Sequence, residues 1–232
     1  MKLLALDTSS LACSVALHDG ANVHTRYEEQ EREHTRLLVP MIHDVLEDAG
    51  LNVTDLDAIV LGNGPGSFIG MRIAASVAQG LAHGANLQIV PVSSLAAIAA
   101  QIFAESDANE AVIAQDAHMN EVYLCAYQRG DANLPMPLFA ERLHGQQAVT
   151  ELAECDAPGR IAAGFGWKRY PQLAALNRSR IRDFAAILYP DARYLLGLGA
   201  MALQNGEIVD PQDLIPAYLR QKVAEKPQKG KP

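Results

Sequence analysis

The chain has 232 residues, 49% hydrophobic and 20% charged, which suits one large globular domain or two modest ones, and no stretch approaches the roughly 20 apolar residues of a membrane span. The formal charge of −8 is unevenly spread, about −12 over residues 1–219, and such an acidic body is a poor independent binder of RNA or DNA that leaves any nucleic-acid role to a basic partner. Cys13, Cys125 and Cys155 are far apart with no CxxC pair, which argues against a disulfide framework or zinc knuckle and reads as reduced cytosolic thiols; Asp7 interrupts the N-terminal apolar run before signal-peptide length.

The opening segments 2–7, 12–20 and 22–29 read as three strands joined by tight turns. A helical stripe follows from His34 to Ala49 with Gly50 as its stop, and Pro40 inside it predicts a kink or a late start. Residues 56–64 form a buried strand, 67–83 a second helix closed by Gly84, 87–94 a strand with a serine cap, and 95–105 a third helix. After the polar break at 105–110 a similar order resumes. It has strands at 111–117, 121–129 and 137–143, a helix at 145–154, a strand running into a glycine turn at 159–167, and a helix at 191–206. The repeated order implies two topologically related α/β halves, an N-terminal lobe over 1–106 and a C-terminal lobe over 107–219, with a mobile basic tail over 220–232.

The stretch "GNGPGSFIGMRI" (62–73) invites a phosphate-cradle reading, since a helix N-terminus favours anions. It is not a Walker A loop, because no Lys follows its glycines. Nor is it a dinucleotide fingerprint, because Gly64, Gly66 and Gly70 are spaced two and four apart. The alternative is a structural turn built on Gly64, Gly66 and Ser67. Behind it Gly70, Ala74 and Ala78 recur at four-residue steps, a small-residue face that packs either on the chain's own sheet or on a partner's helix.

"LDTSS" (6–10) places Asp7, Thr8 and Ser9 at the end of the first strand, either as a nucleotide site in which Asp7 holds Mg²⁺ through water, or as a turn closing the hairpin. None of the seven histidines shows HxxxH, HExxH or HxH spacing, and His34 reads as a cap or a solvent-facing residue. Asp116, His118 and Glu121 around a hairpin turn are candidates for acid/base work, though polar residues also simply fill turns. Ser67 lacks a GxSxG elbow and an identifiable base.

Taken in order, "LLALDTSS", "REHTRLLVPMI" (32–42), "GNGPGSFIGMRIAASVAQGLAHG" (62–84), "QDAHMNEVY" (115–123) and "IPAYLR" (215–220) resemble the bacterial TsaB family, also called YeaZ, over nearly the whole chain. The resemblance implies the two-lobed α/β fold of actin, Hsp70 and sugar kinases. It also implies a non-catalytic, cytoplasmic scaffold in forming N6-threonylcarbamoyladenosine at position 37 of ANN-decoding tRNAs. Its partners would be the transferase TsaD and the ATPase TsaE, with a homodimer when TsaD is absent and tRNA reached through the complex. The family docks through its first two N-terminal-lobe helices, which here puts Arg36, Val39, His43, Gly70, Arg72, Ala74, Ala75, Ala78 and Gln79 at the partner face. No catalytic residue, metal or required cofactor is implied. The rival reading is a small phosphotransferase or ATPase holding ATP or ADP with Mg on Asp7, Thr8 and Ser9 between the lobes, with "AAGFGW" as its second phosphate loop. Two residues depart from the family pattern: Ile69 replaces a common threonine, and His118 a common arginine.

Overall fold

An apolar run without a polar face has to be covered on both sides. Leu3–Asp7 (β1) meets that demand at the centre of a five-stranded sheet in the computed structural model, which describes residues 1–152 and 160–220. Ala12–His18 (β2) and Val23–Glu29 (β3) continue it as an antiparallel meander, with Leu3 opposite His18 and Asp7 opposite Ser14. β3 is the edge strand, and its exposed acidic end discourages pairing with another sheet. On the other side of β1, Ala58–Gly62 (β4) and Gln88–Val92 (β5) add in parallel.

The second sheet repeats this plan. Glu110–Asp116 (β6) pairs antiparallel with Val122–Arg129 (β7), whose far side carries Pro135–Pro137 (β8) and Arg142–His144 (β9). Arg160–Ala163 (β10) and Asp183–Phe184 (β11) then add parallel to β6 on its other side. Two sheets with the same internal plan give the expected two-lobed actin, Hsp70 and sugar-kinase type of fold.

His34–Ala49 (α1) and Phe68–Ala85 (α2) cover the outer face of the first sheet, with Leu38, Ile42 and Val45 meeting Ala74, Ala78 and Ala82 over Leu4, Leu6 and Ile59. Ser94–Glu105 (α3) instead packs Leu95, Ile98, Ile102 and Phe103 on the second sheet, whose opposite face is covered by Trp167 of Phe165–Arg169 (α4) and Leu173 of Pro171–Leu176 (α5). Leu195–Gln204 (α6) returns to the first sheet, burying Leu195, Leu196 and Ala202 against Leu3, Ala5 and Val60. Gly199 permits that approach, since a Cβ there would lie 2.3 Å from Val60 Cγ2. Packing therefore crosses the expected division at 106/107 in both directions.

Several elements differ from expectation for local reasons. Residues 145–152 form turns and bends in place of the expected helix, because the Asn177 carboxamide accepts from Val149 N–H (2.7 Å) and donates to Gln147 O (3.2 Å), taking main-chain groups that a helix would use. Residues 153–154 of that expected helix lie outside the described residues. The strand expected at 137–143 is interrupted between β8 and β9, where Glu141 accepts hydrogen bonds from Ser93 and Tyr127. α2 runs past Gly84 and stops on Asn86, which takes the left-handed conformation (φ 55°). α1 begins at His34, with Pro40 inside the helix. The helix expected at 191–206 opens as a short 3₁₀ turn before α6. The tail expected over 220–232 lies outside the described residues except for Arg220. Among the described residues no helix is long and apolar enough to cross a membrane.

Candidate docking face and the polar network behind it

The first hairpin turn is pressed into the glycine loop. A Cβ at Gly66 would lie 2.1 Å from Ser9 O, one at Gly70 1.9 Å from Thr8 O, and one at Gly62 2.0 Å from Asp7 Oδ2. Hydrogen bonds close the contact: Ser67 N–H donates to Ser9 O (2.6 Å) and Thr8 Oγ1 to Gly70 O (2.7 Å). Ser67 also caps α2, its Oγ accepting from Gly70 N–H at 3.2 Å. The glycines thus make room for the chain's own backbone.

Asp7, Thr8 and Ser9 are all buried at this junction. Ser9 donates to Asp7 Oδ1 through both N–H and Oγ (2.8 Å each), and Ser94 Oγ donates to Oδ2 (2.6 Å) while accepting from Gly64 N–H at 3.1 Å. Burial pushes the Asp7 carboxyl up to about 6, against the lowering effect of the Ser94 and Ser9 hydrogen bonds and with a contribution from the charge of Asp191. Both oxygens of Asp7 and both hydroxyls already have partners inside the protein. The second lobe repeats the device: at Gly164 (φ 105°) a Cβ would lie 2.3 Å from Ala114 O, and at Gly166 2.7 Å from the same oxygen.

Of the other candidate groups two meet and one does not. Asp116 accepts from Tyr170 OH (2.8 Å) and from His118 N–H (2.8 Å), and the His118 ring, 84% exposed, has Nδ1 3.4 Å from Asp116 Oδ2, whereas Glu121 is paired with Arg220 (2.6 Å). His118, Met119 and Asn120 all have positive φ, the geometry of a tight turn. Among the described residues no three His, Cys, Asp or Glu side chains are grouped to hold a metal. Cys13 and Cys125 are buried free thiols, each pushed up to about 12 chiefly by burial.

Outside this network, between α1 and α2, lies an open groove of about 410 Å³ lined by His34, Leu38, Val39, Phe68, Ile69 and Val77 among others. Val39 is 56% and Ile69 71% exposed, a large apolar surface to leave in water on neighbouring helices. At its rim the Arg72 guanidinium stacks on Phe68 (3.8 Å) and donates to Tyr218 OH (2.9 Å). Tyr218 belongs to a strap, residues 215–220, tied to the glycine loop by Ala217 N–H to Asn63 O (3.1 Å) and to the second lobe by Arg220, which donates to Ala117 O (3.0 Å).

The expected partner face therefore divides. Arg36, Val39, His43 and Arg72 are exposed along α1 and α2. Gly70, Ala74, Ala75 and Ala78 are turned inward, buried against Thr8 or in the first-sheet core, which corrects the reading of the small-residue stripe as a partner surface. Gln79 donates to Pro211 O (2.7 Å) and holds the C-terminal return. His34 is neither cap nor solvent-facing: it is buried, with Nε2 2.9 Å from Ser10 O, and joins α1 to the first hairpin. Phe68, Ile69, Ile73 and Val77 are the groove residues that the sequence pattern alone does not single out. Their signal is present in it, since α2 is apolar on more than one face and carries only Arg72 and His83 as basic groups.

A paired-sheet fold with glycine turns at both hairpins defines a class, and the family model described as "TsaD: tRNA N6-adenosine threonylcarbamoyltransferase" matches residues 18–227. Within it the chain belongs to the TsaB (YeaZ) family. It is 36% identical to the tRNA threonylcarbamoyladenosine biosynthesis protein TsaB of Escherichia coli, over 100% of both chains. It is also 36% identical to the Haemophilus influenzae protein of the same name, over 100% of this chain and 98% of that one. The solved structure of YeaZ from Pseudomonas aeruginosa is 37% identical and superposes with a TM-score of 0.85, covering 94% of this chain and 99% of that one. A second structure, of a protein described as similar to peptidase YEAZ from Pseudomonas aeruginosa, gives a TM-score of 0.86 at 36% identity, covering 94% and 99%.

Proposed function

We propose that the chain is a non-catalytic, cytoplasmic subunit in forming N6-threonylcarbamoyladenosine at position 37 of ANN-decoding tRNAs, docking a TsaD-type transferase through the α1–α2 groove. The observation that carries this is the groove itself, with Val39 and Ile69 exposed beside a rigidly stacked Arg72–Phe68 pair. Burying what remains exposed of Ile69 and Val39 in a dry interface is worth about 1–2 kcal/mol each. In the transferase's absence the same face pairs two copies of this chain. The ATPase TsaE joins the docked pair, and tRNA reaches this chain within the complex. The Asp7–Ser9–Ser94 network is read as structural: it fixes the hairpin on the loop that aims α2, and it needs no nucleotide or metal, because its acceptors and donors are mutually satisfied.

The test is reconstitution. A TsaD-type transferase and a TsaE-type ATPase, supplied with threonylcarbamoyl-adenylate and unmodified tRNA, should form the modified nucleoside only when this chain is added. Equal modification without it would contradict the reading. Calorimetry with Mg-ATP on the isolated chain separates the rival: saturable binding abolished by Asp7→Ala would favour the phosphotransferase.

A further inference from the structure

Residues 160–182 contain Arg160, Lys168, Arg169, Arg178, Arg180 and Arg182, six of the chain's 19 Lys and Arg, and none of its 27 Asp and Glu. In a chain of net charge −8, this is a sharp local reversal of sign. Arg160 is spent internally, buried and paired with Glu110. The others sit on the outer side of the second sheet, remote in sequence from the groove. Lys168 and Arg178 are exposed, Arg180 is half-buried, and Arg182 pairs with Asp107, itself 86% exposed. Arg178 lies 5.6 Å from the Phe184 ring, which makes an edge contact with the buried Trp167.

Two guanidiniums there are held by main-chain carbonyls and not by carboxylates. Arg178 Nη1 donates to Ile181 O (3.0 Å) and Arg182 O (3.2 Å), and Arg180 Nε donates to Leu152 O (3.1 Å). Among the described residues neither is within ion-pair distance of an acid. A carbonyl orients a guanidinium without cancelling its charge, leaving a pre-positioned cationic fork with free N–H groups. That arrangement suits phosphate oxygens.

We propose that this face, centred on Arg178 and Arg180, contacts the phosphate backbone of an RNA. The choice of RNA rests on the function proposed above, in which the RNA is the tRNA. The acid excess over residues 1–219 keeps the contact weak in isolation.

The experiment is fluorescence anisotropy of a labelled, unmodified tRNA transcript with the full chain between about 50 and 200 mM salt. The wild type should bind at the low end and weaken steeply with salt. Arg178→Ala/Arg180→Ala should bind about tenfold less tightly, with the log–log salt slope reduced by roughly two, one for each guanidinium taken off the phosphate backbone. Arg178→Lys/Arg180→Lys keeps the charge and should retain most of the slope, which covers the case in which the alanine variant melts early. Three results would overturn the proposal: no binding by the wild type at the lowest salt, unchanged affinity and slope in the alanine variant, or displacement of the tRNA by polyglutamate as efficiently as by unlabelled tRNA, which would mark an acidic-protein site. Ile69→Glu, in the docking groove, should bind tRNA like the wild type, so failure of docking and failure of RNA contact read out separately.

Discussion

Gly62, Gly66 and Gly70 are fixed by what stands opposite them, and two of the three face main-chain oxygens that cannot swing aside. Gly70→Ala should therefore destabilise the chain by about 1–3 kcal/mol or more through forced backbone shifts, measured as a lowered urea midpoint, whereas Gly80→Ala, which meets nothing within 4 Å, should be neutral or stabilising. Asp7 adds a pH signature. Its carboxyl rises from an ordinary 3.8 to about 6 in the folded chain, so between those values the native state holds a proton that the unfolded state has released. Stability from this group is greatest below pH ~4, falls as pH rises towards 6, and is flat above it, a loss of about 3 kcal/mol at most. Asp7→Asn should remove that component, seen as a smaller change in urea midpoint between pH 4.5 and 7. At this scale the glycine spacing was legible as neither a Walker A loop nor a dinucleotide fingerprint. The identity of the oxygens opposite was not, because residues 8 and 9 meet residues 66 and 70 only after the sheet has formed.

At the scale of elements, α2 carries two surfaces that a single stripe could not separate. Its small residues allow close packing on β1 and β4, and that satisfies them within the chain; Ile69, Ile73 and Val77, one step round the helix, face the groove. Ala78→Leu should accordingly cost about 1–3 kcal/mol by overpacking a fully buried site, while Ile69→Glu leaves the melting temperature within a degree or two. Most elements could be read from periodicity, including the stop of α1 at Gly50, while its start at His34 shows that Pro40 does not delay it. The segment at 145–152 could not, because its helical pattern gives way to one distant amide, Asn177, whose position depends on α5. Ile69, at one of the two positions that depart from the resembled pattern, is 71% exposed at the groove and enlarges its apolar surface.

For the whole molecule, α3 and α6 tie each lobe to the other half's sequence, and the 215–220 strap ties the glycine loop to the β6–β7 turn. Unfolding should be a single cooperative event. Trp167, the one tryptophan, reports the second sheet, and its fluorescence transition in urea should coincide with the loss of far-ultraviolet circular dichroism; two separated transitions would mean that the lobes fold independently. The repeated strand plan was visible in the order of elements. The exchange of helices was not, since nothing in a local pattern says which sheet a helix covers. If the α1–α2 groove docks the transferase, size-exclusion chromatography of a TsaD-type transferase mixed with the Ile69→Glu chain decides it. The variant should melt like the wild type, elute separately from the transferase and no longer support tRNA modification. A stoichiometric complex with full modification activity would rule out docking through this groove.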